Sequence, residues 1–308
     1  MNIKYKYFDL KILEAFIKEP TFKLTRPKQL NDPFECAIND EIIDLYKQNI
    51  NQPTEDMFTI QSAVNNALCI ISLTSTNDNK LMWAHYGDEH RGVAIGFDVD
   101  KLNKHISETN KKNKGALIDP TTLCKVEYKE KRFDISQGEM EEIKSLNSEK
   151  LINNIIQKVA TTKSIEWNYE LEYRYILPIS FCDILQLLSR KARYINSSWS
   201  NKAKIRFSNN ANWKDKFRII ENFKHSHETI ELMKIPKECI HSIHFGARVE
   251  PADEYKILNE IKKHPEYSKI KTFRYKLCTK DFKLSILKSQ LPSSKEIDEL
   301  FAETDKLL

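Results

Sequence analysis

Glycine is scarce in this chain, with six residues in 308. A phosphate-cradling loop needs glycines at fixed offsets, and neither GxGxxG nor GxxxxGK(S/T) occurs, which excludes Rossmann and P-loop nucleotide binding. No apolar run approaches the roughly 20 residues of a membrane-spanning helix, so no membrane partner is expected. The six cysteines are scattered, none forming CxxC, and several sit beside apolar residues, as in Leu68-Cys69-Ile70. Buried reduced thiols are the expected state. Met1-Asn2-Ile3-Lys4-Tyr5-Lys6 carries no apolar segment of a secretion signal, so a cytoplasmic location is expected. HExxH, paired Cys/His spacings and a GxSxG elbow are also missing. The local pairs His225/His227 and His241/His244 are too few for a metal centre, and no metal is expected.

What remains is a globular composition: 40% hydrophobic, 30% charged, with a net charge of only +5. That balance permits contact with nucleic acid without predicting it. The periodicity predicts strands at Tyr5 to Phe8, Thr21 to Arg26, Leu68 to Leu73, Val93 to Phe97, Leu123 to Tyr128, Leu171 to Ile179, Ile230 to Ile235, Ile240 to Phe245, Lys271 to Leu277 and Phe282 to Ile286. Helices are predicted from Leu10 to Ile17 behind an Asp9 cap, over about 40–67 with an interruption near Pro53, over about 139–163 and at Glu254 to Lys263, and Lys80 to Tyr86 reads as a short helix or turn. The stretch 181–226 has no readable period. Strands and helices alternate without a βαβ rhythm, so the expected fold is α+β, a mixed and mainly antiparallel central sheet with peripheral helices. One domain over 1–290 and a solvated tail helix over 291–308 are expected.

Three segments concentrate the chemistry. Gly87, Gly92 and Gly96 fall within ten positions, in a stretch that also holds Trp83, His85, Tyr86 and His90. Such clustering predicts a tight turn beside a stacking face. In Trp167-Asn168-Tyr169-Glu170-Leu171-Glu172-Tyr173-Arg174, strand alternation puts Glu170, Glu172 and Arg174 on one face. Two carboxylates there repel unless a cation or a substrate hydroxyl lies between them. The third segment, Asn31-Asp32-Pro33-Phe34-Glu35, reads as a turn or as a ligand contact.

Together with Tyr5-Lys6-Tyr7, Ile71-Ser72-Leu73, Lys163 and Ile243-His244-Phe245-Gly246, these segments resemble the bacterial family of unknown function 2971, over about residues 5–286. The resemblance implies a soluble bacterial protein of phage-defence or toxin contexts, with no settled activity. A looser similarity is to the Arg-Ser-Glu class of ADP-ribosyltransferases, through the order Arg26, Ser72-Leu73-Thr74-Ser75, Glu170-Leu171-Glu172. The serine strand departs from Ser-Thr-Ser and the gap to Glu170 is long. That similarity implies NAD as substrate and an ADP-ribosyltransferase-like fold. Glu172 would hold the ribose hydroxyl and the developing positive charge, and Glu170 would orient the acceptor. Arg26 would pair with the pyrophosphate, and Trp83 or Tyr86 would stack on a ring. Asn31, Asp32, Phe34, Ser72, His85 and Arg174 complete the expected ligand contacts.

The expected function is therefore a defence or toxin-type enzyme that transfers ADP-ribose to a protein or nucleic-acid acceptor, or cleaves NAD beside it. The alternatives are a toxin cleaving RNA or DNA with His85 and His90 as acid and base, and a non-enzymatic module sensing a small nucleotide-type ligand.

Overall fold

A computed structural model describes residues 1–37, 61, 64–112, 120–132, 141, 148–188, 204–208, 211–224 and 228–289. Two compact units emerge: Met1–Pro20, Leu73–Leu102 and the residues from Ile235 form unit 1, and Thr21–Ser72 with Asn103–Lys234 form unit 2. The fold is α+β, with a mixed and mostly antiparallel central sheet.

Unit 1 holds β1 (Ile3–Phe8), β4 (Val93–Asp98), β12 (Ile240–Phe245), β13 (Lys271–Leu277) and β14 (Leu284–Lys288), in the order β14-β13-β12-β4-β1. All neighbours are antiparallel except β12 and β13. Every residue of β4 is buried, as its nearly continuous apolar run requires of a central strand. Parallel pairing of β12 with β13 needs a crossover, supplied by a helix over Pro251–Lys262 whose first turn opens with Pro251. The helix α1 (Leu13–Lys18) buries Leu13, Phe16 and Ile17. Before it, Leu10–Ile12 form a tighter turn capped by the Asp9 carboxylate, which accepts from the Lys11 amide at 2.9 Å. The helix α2 (Lys80–Tyr86) begins at Asn79, whose side-chain oxygen accepts from the amides of Leu81 and Met82.

After α2 the chain makes a left-handed turn. Asp88, Glu89 and His90 have φ of 47°, 52° and 71°, a run that L-residues adopt only at a cost. The glycines around the turn serve close approach instead. A Cβ on Gly246 would lie 2.2 Å from the His90 carbonyl oxygen. Bonds from the Gly246 amide to Gly92 and from the Arg248 amide to His90 pin the turn there.

Unit 2 contains the order β3-β8-β5, from β3 (Leu68–Thr74, of which the residues up to Ser72 belong to this unit), β8 (Glu172–Pro178) and β5 (Cys124–Lys125). A second sheet, β10-β9-β11-β2, is antiparallel throughout; its strands are β2 (Thr21–Lys23), β9 (Ile184–Leu188), β10 (Lys204–Arg206) and β11 (Glu228–Lys234). The strands β6 (Glu127–Lys129) and β7 (Thr162–Ser164) form a parallel ribbon in which Tyr128 faces Lys163. The helices of this unit include α4 (Ser148–Thr161) and α5 (Trp213–Lys224).

Several expectations need correction. The helix α3 (Val99–Lys112) was unforeseen, because its many polar residues dilute the apolar stripe. The strand predicted over Leu123 to Tyr128 divides at Val126 into β5 and β6. The strand predicted at Thr21 shrinks to three residues before Pro27 opens a helical turn. The strand predicted at Leu171 begins one residue later, because Leu171 is left-handed. The second sheet was illegible, as two of its strands lie in the stretch without period. Most of the helix predicted over 40–67, the first part of that over 139–163, the pair His225/His227 and the tail helix over 291–308 lie outside the described residues.

All six cysteines are free thiols, and four of them are buried. Among the described residues no helix is long and apolar enough to cross a membrane.

Candidate functional site

Five ionisable side chains meet inside unit 2: Glu35, Lys163, Glu170, Glu172 and Arg174, with side chains no more than 6% exposed. They arrive from a turn, from β7, from a short helical turn and, for Glu172 and Arg174, from β8. Asp32 starts a turn by accepting the Phe34 amide on its carboxylate, at 2.9 Å, and the Glu35 amide on its carbonyl, at 3.2 Å. That turn buries Glu35 and leaves Phe34 62% exposed. Lys163 lies on β7. A short helical turn, Ile165–Glu170, follows and ends at the left-handed Leu171, φ 45°. The reversal at Leu171 brings Glu170 inward, while Glu172 and Arg174 follow the alternation of β8.

The Lys163 ammonium lies 2.5 Å from Glu170, 3.3 Å from Glu172 and 3.3 Å from Glu35. The Arg174 guanidinium grips Glu172 through two bonds, Nε to Oε1 at 2.8 Å and Nη2 to Oε2 at 2.9 Å. It also bonds Glu35 through Nη2 and donates from Nη1 to the Ala160 carbonyl at 2.7 Å. The Glu172 amide donates to the Tyr128 hydroxyl at 2.8 Å, and the Lys163 ammonium stands 4.7 Å above the Trp167 ring.

Burial by itself would raise the Glu172 pKa, yet Arg174 first, then Lys163 and a bond from Ser72, hold it down at about 2. Burial would likewise weaken the Lys163 ammonium, but Glu172, Glu35 and Glu170 outweigh it and its pKa is raised. Tyr128 is pushed up to about 12, chiefly by burial. Glu172 is thus a fixed anion at neutral pH and a poor proton acceptor.

Glu35 and Lys163 also wall a cavity of about 270 Å³. Asp32, Phe34, Lys131 and Arg132 are among its other linings, and the Arg132 guanidinium lies 4.7 Å over the Phe34 ring. Glu170, Glu172 and Arg174 stand behind Glu35 and Lys163, in contact with them.

The structure therefore joins Glu170, Glu172, Arg174, Ser72, Asp32 and Phe34 around one region of unit 2. Asn31 precedes them, exposed, at the head of the Asp32 turn. Arg26 lies in unit 2 but is engaged elsewhere, donating to Glu221 at 2.8 Å and Glu231 at 3.0 Å. Trp83, His85 and Tyr86 belong to α2 of unit 1. There Trp83 is fully buried, packed edge-on against Tyr7 and Tyr275, with its indole N–H donating to the Asn77 carbonyl at 2.8 Å. His85 is exposed, with its ring edge-on to Tyr86.

Sequence reasoning did not assign Glu35, Lys163, Tyr128 or Arg132 to a site. Glu35 did stand inside a segment singled out, between Phe34 and Cys36, so its signal was charge beside apolar neighbours; Lys163 entered only through the family resemblance. Tyr128 and Arg132 had no such signal. Among the described residues, no group of three or more His, Cys, Asp or Glu is placed to share a metal ion.

Residues 82–175 match a family model described as a protein of unknown function (DUF2971). The matched stretch holds Met82 through Tyr86 and the segment from Lys163 to Arg174; Asn31 to Glu35 lies outside it. It is narrower than the span over which the resemblance was drawn. No curated protein and no solved structure matches the chain.

Proposed function

We propose that the unit 2 cavity binds a small phosphate-bearing nucleotide, NAD foremost, and that the chain cleaves its nicotinamide–ribose bond, passing ADP-ribose to water or to a protein or nucleic-acid acceptor. One observation carries the reading: Glu35 and Lys163 wall the cavity and belong to the same buried network as Glu170, Glu172 and Arg174. A buried carboxylate with a displaced pKa, here Glu172 behind the cavity wall, marks where polar chemistry concentrates.

The chemistry follows from charge. When the C1′–N bond breaks, its electron pair leaves with the nicotinamide nitrogen and the ribose becomes an oxocarbenium-like cation. A fixed anion stabilises that cation without reorganising. Glu172, locked by Arg174, supplies such a field from behind the wall, and Glu35 is the carboxylate that reaches the ligand. An oxygen or nitrogen lone pair of the acceptor then bonds C1′, and the acceptor's proton passes to Glu35. The phosphates fall to Lys131 and Arg132 rather than to Arg26, whose guanidinium is occupied by Glu221 and Glu231. The Phe34 ring, exposed under Arg132, offers a stacking face.

Incubation with NAD labelled in the nicotinamide ring tests this. Release of labelled nicotinamide that Glu35→Gln and Glu172→Gln abolish, both folded by circular dichroism, is the expected result. Absence of release with water, protein and RNA acceptors alike would overturn the enzymatic reading.

A further inference from the structure

The hairpin of β13 and β14 concentrates the charge of the chain. Residues 271–288 hold six basic side chains and one acid, a net charge of +5, which is the net charge of the whole sequence. Arg274 is engaged inside unit 1, donating to Glu254 and to the Val249 carbonyl. The other five, Lys271, Lys276, Lys280, Lys283 and Lys288, are exposed, as is Asp281. Between Lys280 and Lys283 the turn presents Phe282, 95% exposed. That turn is held in place. The Cys278 amide donates to the Lys283 carbonyl at 3.0 Å, and Lys80, at the start of α2, donates to the Phe282 carbonyl at 2.8 Å. An aromatic ring is thus held out in solvent, with lysines two places before it and next after it in the chain. Protecting a sheet edge from pairing accounts for a lysine on β14. It does not account for Lys276, Lys280, Lys283 or the bare ring, which lie off that strand.

We infer that the β13–β14 hairpin docks single-stranded nucleic acid: Phe282 stacks on an unpaired base, and Lys276, Lys280 and Lys283 meet the phosphates beside it. Lys271 and Lys288, at the opposite end of the strands, add to the field that draws a polyanion in. Every base offers a ring face, so an exposed aromatic beside lysines takes a strand with little regard to its sequence. In a duplex the bases are already stacked on one another, and the ring has no such partner. A bilayer fits less well. Strand pairing puts Leu277, Leu284 and Ile286 on the Tyr275 side and Leu287 on the Arg274 side. The apolar residues therefore do not share one face that could enter hydrocarbon. All of these residues belong to unit 1, and none lines the cavity of unit 2.

The test titrates fluorescently labelled oligonucleotides of about 12 nucleotides, a length one strand-binding fold can cover, with the full chain. Polarisation reads binding at about 50 and about 200 mM salt. RNA and DNA of one sequence, each single-stranded and annealed, are compared. Single strands are expected to bind more tightly than duplexes, with a log–log salt slope near about −2, roughly 0.7 for each of three phosphates. Phe282→Ala should weaken single-strand binding about fivefold or more and leave the slope unchanged. Lys280→Gln with Lys283→Gln should reduce the slope to about −0.7. Lys104→Gln with Lys262→Gln removes the same charge from exposed positions elsewhere and should change neither. No binding of any oligonucleotide at the lower salt, binding indifferent to Phe282, or an equal response to the two lysine pairs would overturn the proposal. Binding to phosphatidylserine vesicles instead, or self-association in sedimentation that Phe282→Ala abolishes, each without oligonucleotide binding, would overturn it and give the face to a bilayer or to a second copy.

Discussion

The Lys163 ammonium meets Oε2 of Glu170 at 2.5 Å, seven residues along the chain, and a third carboxylate, Glu35, meets the same nitrogen from a distant turn. Two cations hold three acids in this network. Removing either cation leaves, of these two, a single positive charge facing the three buried acids.

Lys163→Met is accordingly expected to destabilise the chain by about 3–5 kcal/mol, the range for stripping one partner from a buried pair. Adding Glu170→Gln should recover part of that loss, since the carboxylate nearest Lys163 is then neutral. Urea unfolding of both variants measures this. A double variant no more stable than the single would show that the loss comes from packing rather than charge.

Phe34 separates binding from folding. Its ring is 62% exposed and its turn is held by Asp32. Phe34→Ala should change stability by no more than about 0.5 kcal/mol, as exposed substitutions do. NAD affinity should fall severalfold through loss of the stacking face. Thermal unfolding and calorimetric titration of one preparation read both effects.

His244, on β12 of unit 1, predicts a dependence on pH. Its ring stacks on Phe273 at 4.8 Å and its Nε2 lies 3.0 Å from the Ser242 hydroxyl. Burial, then the neighbouring His241, depresses its pKa to about 4 from an ordinary 6.5. The unfolded chain takes up a proton at 6.5, whereas the folded one resists until about pH 4. Stability is therefore fully present above pH 6.5 and falls between 6.5 and 4, by about 3 kcal/mol. His244→Phe should flatten that part of the stability curve, measured by denaturant unfolding at stepped pH.

Gly246→Ala tests the close approach at the left-handed turn. The new methyl would stand 2.2 Å from the His90 carbonyl oxygen and 2.7 Å from its carbon, both backbone atoms. A loss of about 1–3 kcal/mol is expected, the usual cost of overpacking. The lowered midpoint in thermal unfolding is the readout.

Local pattern was enough for much of this molecule. Apolar alternation located β12 and β13 to the residue, and the segment read as a short helix or turn at Lys80 to Tyr86 is α2. The pairing of Glu170 with Glu172 was also legible, although the reason was only half right. Glu172 and Arg174 share a strand face, whereas Glu170 turns inward through the left-handed Leu171. Backbone reversals of this kind leave no periodic trace, because one residue in an unusual φ does not alter the spacing of its neighbours. The clustered glycines did announce a tight turn near Asp88 to His90, but the same reason hid that ordinary residues carry its positive φ.

The amino-acid order alone determined the fold class, the absence of a glycine-rich phosphate loop and the charged residues of β8, since each is set by composition or by contacts a few positions apart. Only the tertiary structure decided that Glu35 reaches Arg174 across 139 residues, that Arg26 is claimed by Glu221 and Glu231, and that Trp83 is a core ring of unit 1. A charged side chain takes whichever opposite charge the folded backbone brings within about 4 Å, and that distance is a property of the packed chain, not of its spacing in sequence.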